Sequence, residues 1–422
     1  MTTDTLESPS VEAGVVPRMR LASPAPLRVL VDARRSVVGY RMAGKARFDP
    51  APPVSPGLPA EPVAVDADEP ARELHKPTFV RCTIADLRQG QLEQLDPRTS
   101  VLEIRESAVG PDGIDGDREI LKEARRLGFK LAFDGRLLQN AYASFVPLAS
   151  YVILEMGVLE LDRAASIAKS IQANAQAKAI PFATQVRTEG QFKSLAAAGV
   201  QMFEGLWFTK PPVRRDPAVQ VSYAALIKLL NMVMREAEVN EVEELLRHEP
   251  TLAYKLLRHI NTCGFGLKGE ITSFRHAVMT VGQKRLFRWA ALLVSNTPPG
   301  SVAPAAGTLA IVRGRMMELI ALESLTAAEA DLAFITGMFS MLDALLGMPL
   351  EDALALVDLP TSVSDAILAG TGVFGPFLDM TKACESVDEQ VLEILSMRYR
   401  IPVERLIDIH LQALAWAEQF AD

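Results

Sequence analysis

Residues 100–134 read SVLEIRESAVGPDGIDGDREILKEARRLGFKLAFD, and their reading decides the fold. In SVLEIR, apolar and charged residues alternate with period two. Val101, Glu103 and Arg105 share one face of a strand, and Leu102, Ile104 and Glu106 share the other. DREILKEARRLG (117–128) changes to the helical period, with Ile120, Leu121, Ala124 and Leu127 on one apolar face and Gly128 where a helix C-cap falls. FKLAFD (129–134) returns to a strand. A carboxylate such as Glu103, in the middle of an otherwise buried strand, is costly unless it is paired, hydrogen-bonded or bound to a metal.

The same alternation extends both ways. TFVRCT (78–83), YVILEM (151–156), IPFATQV (180–186) and VQMFEGLWF (200–208) read as strands, and LDRAASIAKSIQANAQAKA (161–179) as a helix, with Gly199 at another C-cap position. This pattern over residues 78–209 predicts a mostly parallel sheet. A closed β/α barrel fits the number of units, with an open doubly wound sheet as the alternative. Upstream lie a short strand, LRVLVD (27–32), and a second apolar stretch, SVVGYRM (36–42). Residues 1–26 carry no apolar period and read as a disordered tail. Residues 49–70 contain Pro50, Pro52, Pro53, Pro56, Pro59, Pro62 and Pro70, which mark a long irregular loop. After KPPVRRDP (210–217) the strands stop, and segments such as VNEVEELLRHEPTLAYKLLRHINT (239–262) and DEQVLEILSMRY (388–399) read as helices. The expected fold class is therefore α/β plus all-α, with a barrel over 27–212 and a helical domain over 213–422.

A chain of 422 residues fits two domains, and an apolar fraction of 49% with 23% charge belongs to a folded globular protein. A net charge of −8 without an arginine- or lysine-rich run argues against nucleic acid as the main ligand. Cys82, Cys263 and Cys384 form no CxxC, and the start is not signal-like, so a reduced, cytoplasmic protein is expected. LAFITGMFSMLDALLGMPL (332–350) is the longest apolar stretch, but Asp343, two glycines and a proline interrupt it. It reads as buried core rather than a membrane span.

In a β/α barrel the functional groups sit at the carboxyl ends of the strands, which here offer Arg81, Glu103, Asp134, Glu155, Thr184 and Glu204. Several carboxylates at one mouth could hold a divalent cation through oxygen ligands. The alternative is that they pair with Arg41 and Arg81 and close the barrel end. In the helical half, His248, His259 and His276 are accompanied by no HD dipeptide or HExxH motif, and Asn261 beside His259 suits a helix cap. No GxSxG is present, and GTGVFG (370–375) lacks the Lys-Ser/Thr of a phosphate loop.

Two stretches carry a family resemblance. HEPTLAYKLLRHINTCGFGLKGEITSFRHAVMTVGQKRLFRWA (248–290), continued by FITGMFSMLDALLGMPLEDAL (334–354), resembles the HDOD domain, an all-helical relative of HD phosphohydrolases that lacks their metal-binding residues. The first half resembles the EAL domain, the cyclic-di-GMP phosphodiesterase fold, a modified TIM-like β/α barrel. The resemblance implies a set of site positions. The metal-ligating Glu of GYEAL falls at Arg41 of GYRMA, and the Asn ligand falls at Arg81 of FVRCT. ExTE is kept as Glu103-Ile104-Arg105-Glu106, its first Glu a metal ligand in the family and its second a loop-steadying group. DDFG becomes Asp134-Gly135-Arg136, the KxD lysine falls at Ile153, AEGVE reads Ala183-Thr184-Gln185-Val186-Arg187, and the Gln of the QG motif is Glu204.

Guanidinium groups at two ligand positions offer a cation no lone pair, and repel it by roughly several kcal/mol each at close range. Glu103 and Asp134 alone are too few ligands for a two-metal, water-activating site. The expectation is therefore a vestigial EAL site of Arg41, Arg81, Glu103, Glu106, Asp134, Ile153, Thr184 and Glu204, with no catalytic residue, metal or cofactor. The expected role is a non-catalytic adaptor in a cyclic-di-GMP-related bacterial pathway, with other signalling proteins as partners and neither nucleic acid nor membrane. Homo-oligomer formation stays open. The alternatives are a non-hydrolysing sensor of cyclic-di-GMP or another anion, and a residual phosphodiesterase or HD-type hydrolase. Trp289 is the one candidate anchor of an interaction surface.

Overall fold

The structure is a computed structural model that describes residues 25–44, 74–89, 92, 95–105, 113–135, 140–173, 178–210, 217–249, 252–257, 273, 275–276, 288, 290–294, 304–386 and 389–420. Residues 1–24 of the tail expected over 1–26, the proline loop over 49–70, and Glu106, Arg136, His259, Asn261, Cys263 and Trp289 lie outside these residues, whereas Pro26 is buried and accepts from the Ala43 N–H (2.9 Å), so the ordered chain begins before 27.

Eight strands close into a barrel in chain order: β1 (Leu27–Asp32), β2 (Val37–Met42), β3 (Thr78–Cys82), β4 (Ser100–Ile104), β5 (Lys130–Asp134), β6 (Tyr151–Glu155), β7 (Ile180–Thr184) and β8 (Met202–Glu204). Strands β2 to β8 are parallel, and β1 runs antiparallel to both β2 and β8. The open sheet is thereby excluded. The reversal of β1 comes from the short turn that follows it. The Asp32 carboxylate accepts the backbone N–H groups of Arg34 (2.8 Å) and Ser36 (2.9 Å), and Arg35 sits in the left-handed region at φ 63°. A hairpin this tight can join only antiparallel strands.

Outside the barrel lie α1 (Ile84–Arg88), α2 (Gly113–Arg126), α3 (Leu161–Ala173) and α4 (Glu189–Ala197), with a 3-10 turn over Asn140–Leu148. Period two sorts the strand residues. Leu30, Phe79, Val101, Ala132, Tyr151, Ile153, Phe182 and Met202 fill the barrel as one apolar cluster, with Phe79 edge-on to Tyr151 at 5.0 Å between ring centroids. Residues of the other parity, such as Leu102, Ile104, Leu131 and Phe133, belong to the larger core shared with the helices.

Two expectations need correction here. The last strand is three residues, Met202–Glu204, and Trp207–Thr209 is a 3-10 turn. Gly205, at φ 149°, ends the strand where a Cβ would lie 2.0 Å from the Val186 carbonyl oxygen, so only glycine fits. Leu127 leaves the apolar face of α2. It falls past the helix end and is 47% exposed, while Asp117 is buried and accepts a 2.8 Å hydrogen bond from Arg88.

The second half is helical throughout its described residues: α5 (Pro217–Met234), α6 (Val239–His248), α7 (Pro304–Ala321), α8 (Ala327–Phe339), α9 (Leu342–Leu346), α10 (Leu350–Leu354), α11 (Thr361–Ala369), α12 (Gly375–Glu385), α13 (Glu389–Tyr399) and α14 (Val403–Ala417). The apolar stretch 332–350 forms most of α8 and all of α9 and is buried core, as its interruptions imply. No helix among the described residues is long and apolar enough to cross a membrane. The two halves touch where the Ala305 N–H donates to the Arg35 carbonyl (3.0 Å) and where Glu418 accepts the backbone N–H of His75 (2.8 Å).

His410 on α14 is fully enclosed, and burial lowers its imidazole to about 4. Its folded pKa lies below the ordinary 6.5, so its contribution is present above about pH 6.5 and is lost as pH falls towards 4. The loss is roughly 3 kcal/mol in total. Urea unfolding of the helical half between pH 7 and 4 is expected to show it, and His410→Leu to flatten that leg.

Candidate functional site

Above the apolar layer of the barrel, the inward positions at the carboxyl ends of the parallel strands become charged. β2 brings Arg41, β3 Arg81, β4 Glu103, β6 Glu155 and β8 Glu204, and the reversed β1 brings Arg28 from its first turn of chain, in register with Arg41. Asp134 and Thr184 end β5 and β7 on the same parity, and Ile153 belongs to the apolar layer beneath them. Sequence-predicted positions on seven different strands, β2 to β8, are thus gathered at one mouth.

The centre is Arg41, which is almost fully buried. Its Nε donates to Glu103 Oε2 (2.7 Å) and its Nη2 to Glu103 Oε1 (2.9 Å), a planar two-point grip, while its Nη1 donates to Glu204 Oε2. Glu204 is held on its other oxygen by Arg28 Nη1 at 3.1 Å. Glu103 Oε1 also accepts from Arg105 Nε (2.8 Å), whose Nη1 reaches Glu155 Oε2 (2.9 Å). Gln185 Nε2 donates to Glu155 Oε1 (3.0 Å). The result is a continuous chain of charges, Arg28 to Glu204 to Arg41 to Glu103 to Arg105 to Glu155. Arg81 stands beside it. Its Nε is 3.4 Å from Glu103 Oε1, close enough for attraction but without hydrogen-bond geometry.

The electrostatics follow from this arrangement. Burial alone would raise the carboxyl of Glu103, which is 0% exposed. The hydrogen bonds and charge of Arg41, then those of Arg105 and Arg81, hold it at about 2 instead. Arg41 gains in the opposite sense: burial opposes its charge, but Glu103 and Glu204 raise its pKa above the ordinary value. Arg81 is pushed below its ordinary value. Burial is the main cause, and the charges of Arg41, Arg105 and Arg28 add to it against the pull of Glu103. Thr184 is fully buried with its hydroxyl oxygen unpartnered among the described residues.

The expected pairing of Glu103 with Arg41 and Arg81 is present. Two members of the network were missed from sequence. Arg28 interrupts LRVLVD on the face shared with Leu30, a signal that period two makes visible. Arg105 has the parity of Glu103 but lies just past the strand end. His248 and His276 are exposed in the helical half, and no group of three or more histidine, cysteine or carboxylate side chains that could hold a metal forms among the described residues.

Both Glu103 oxygens are committed to guanidinium groups, so removing Glu103 leaves Arg41 leaning on Glu204 alone. The folded pKa of Glu103 lies below the unfolded value, so its stabilisation is present above about pH 4.5. It is lost as pH falls towards 2, on the order of 3 kcal/mol. Chemical unfolding of the barrel at pH 7 is expected to show Glu103→Gln destabilised by about 3 kcal/mol or more, and the acid leg below pH 4.5 to shrink in that variant.

Comparison with known proteins then places the chain. The HDOD domain model matches residues 217–296. The cyclic di-GMP phosphodiesterase CdgJ of Vibrio cholerae serotype O1 is 27% identical, over 75% of this chain and 73% of its own length. The uncharacterized protein YuxH of Bacillus subtilis is 24% identical, over 82% of this chain and 85% of its own length. Among solved structures, the Bacillus subtilis YkuI protein, with an EAL domain and in complex with c-di-GMP and calcium, is 15% identical. That match covers 61% of this chain and 72% of the other, at a TM-score of 0.33. With a closed barrel before residue 217, an HDOD match over residues 217–296, and a curated relative spanning three quarters of the chain, the protein resembles the two-domain EAL–HDOD proteins.

Proposed function

We propose that this protein is a non-catalytic adaptor in a cyclic-di-GMP-related bacterial regulatory pathway, acting through contacts with other signalling proteins. The observation that carries the reading is the grip of Arg41 by Glu103 and Glu204 at the centre of the mouth. The residues there do not fit a divalent cation. Every oxygen of Glu103 already accepts from a guanidinium, and the neighbouring positive groups oppose a further cation. The Vibrio relative's name supports the pathway, while 27% identity leaves room for the site residues to differ. The buried thiols of Cys82 and Cys384, which are not joined in a disulfide, suit a cytoplasmic protein.

A second reading, an anion or cyclic-di-GMP sensor without hydrolysis, is favoured by one observation. Arg81 is partly exposed at the mouth, and its Nε has no hydrogen-bond acceptor among the described residues. Its planar guanidinium is suited to phosphate oxygens.

Two measurements separate these readings. Purified protein with cyclic-di-GMP and magnesium or manganese is expected to give no hydrolysis. Turnover that disappears in Glu103→Ala would overturn the non-catalytic reading. Calorimetry with cyclic-di-GMP is expected to give no heat and no thermal shift if the protein is an adaptor. Heat that vanishes in Arg81→Ala assigns the sensor.

A further inference from the structure

A barrel strand has two faces to bury, one in the interior and one against an outer layer. β3, β4, β6 and β7 are followed by α1 to α4, whereas no barrel helix follows β1 or β2 among the described residues. The outward residues of this hairpin are buried all the same: Leu27, Val29 and Val31 on β1, Tyr40 and Met42 on β2. They belong to the apolar core that also takes in α7, α12 and α14. α7 packs against β2 and the Trp207–Thr209 turn, and α12 against β1. α7 is buried on nearly every side, as a helix between two layers is. The helical half thus supplies the outer layer for this wall of the barrel.

Polar contacts fix the same wall. The Arg35 carbonyl, in the turn of the hairpin, accepts the Ala305 N–H (3.0 Å), one of the donors that the first turn of α7 leaves without a partner of its own. Arg35 is held at φ 63°, with its guanidinium bonded to Glu189 on α4 and lying over the Phe192 ring (5.1 Å). Glu418, just past α14, accepts the backbone N–H groups of His75 (2.8 Å) and Lys76 (3.4 Å) ahead of β3. Tyr40 lies beside it, its phenol raised by burial and then by that carboxylate.

Inside the barrel, the hairpin carries Arg28 and Arg41, opposite each other in its register and both bonded to Glu204. Its ladders to the neighbouring strands are short. Tyr40 and Arg41 pair with Thr78 and Phe79 on one side, and Leu30, Val31 and Asp32 with Glu204, Phe203 and Met202 on the other. Val38 is the extra residue of a bulge opposite Leu30 and Val31, and beyond it Tyr40 faces out and Arg41 in. Consecutive Cα atoms are about 3.8 Å apart across a rigid peptide, so a shift of Tyr40 carries Arg41 with it. A shift of about 1 Å takes the 2.7 and 2.9 Å bonds from Arg41 to Glu103 out of hydrogen-bond range.

We propose that the β1–β2 hairpin is a shared wall whose placement the helical half sets. The grip on Arg41 inside the mouth and the contacts of Glu418 and α7 outside it are then formed and lost together. Glu418 is a positioning residue for Arg41, acting through Tyr40 and the chain ahead of β3. The coupling holds for either reading of the mouth, adaptor or sensor. It is also reciprocal: whatever binds one half with a preference for one placement of the hairpin alters binding at the other.

Hydrogen exchange of the full chain, without any ligand, tests this. Glu418→Gln is expected to speed exchange of the amides of β1 and β2 by about tenfold or more and to leave those of β5 and β6 unchanged. Glu103→Gln, in the mouth, is expected to speed exchange at His75 and Lys76, whose N–H groups Glu418 accepts. Leu121→Ala, in the core of α2, controls for plain loss of stability and is expected not to single out the hairpin. Glu103→Gln and Glu418→Gln together are expected to raise hairpin opening at least about threefold less than the product of their separate effects, whereas independent sites multiply within about twofold. A hairpin indifferent to Glu418→Gln, or one that Leu121→Ala loosens equally, overturns the proposal. So do His75 and Lys76 amides that ignore Glu103→Gln, and separate effects that simply multiply.

Discussion

The guanidinium of Arg41, gripped on one side by Glu103 and on the other by Glu204, is the interaction around which the barrel mouth is built. Taking three charges out of water costs several kcal/mol per ion, and only close, multiply hydrogen-bonded geometry offsets that. The geometry here supplies it, and in doing so it ties strands that are not neighbours. Arg41 to Glu103 spans from β2 to β4 across β3, Arg41 to Glu204 spans from β2 to β8 across β1, and Arg105 to Glu155 continues from the end of β4 to β6 across β5. Backbone ladders already close the barrel. The ionic layer adds a fixed identity to its open end, because shifting any one strand by a residue would turn its charge outward.

The strand that carries Arg41 inward also carries Tyr40 outward, towards the helical half. Burial and the Glu418 carboxylate raise the phenol of Tyr40 well above its ordinary range, and the same carboxylate accepts the N–H groups of His75 and Lys76 just ahead of β3. Glu418 follows directly from α14, whose Trp416 is flanked by Arg288 and Arg315, both bonded to Glu318. β2 is therefore fixed on both faces, by the mouth on one side and by the end of the last helix on the other. The two halves share this boundary through hydrogen bonds to backbone, which hold position without depending on a particular side chain in the barrel.

Much of this was legible in the sequence because both kinds of element have a strict period. The alternation in VLEIR set Glu103 facing inward, and the arginines in GYRMA and FVRCT marked what it would meet. What the period does not encode is direction. LRVLVD reads the same for a parallel or an antiparallel strand, and the Asp32 turn decided it through backbone hydrogen bonds that no residue pattern announces. The overlong last strand had the same cause: MFEGLWF is apolar enough to continue, but the approach of the Val186 carbonyl to Gly205 stops it. Arg28 was readable by parity. Arg105 was placed by parity on the face of Glu103, but its bridge to Glu155 was not read, because the pattern of one strand does not say which residue two strands away lies within reach.

The closed state of the network bears on which ligands the mouth could accept. A ligand that displaced Arg41 from Glu103 would uncover a buried carboxylate, at a cost of about 3–5 kcal/mol. Binding at 1 µM corresponds to about 8 kcal/mol, so such a ligand would need roughly 11–13 kcal/mol from its remaining contacts. Arg81 imposes no such cost. It is partly exposed, its charge is already disfavoured by burial and by its cationic neighbours, and an added anion would relieve that repulsion rather than break a pair. Any anion recognised at this end of the barrel is therefore expected to engage Arg81 from above and to leave the Arg41 grip intact. A ligand held in that way sits on the ionic layer rather than within it, above the level of Glu103 and Asp134 at the carboxyl ends of β4 and β5.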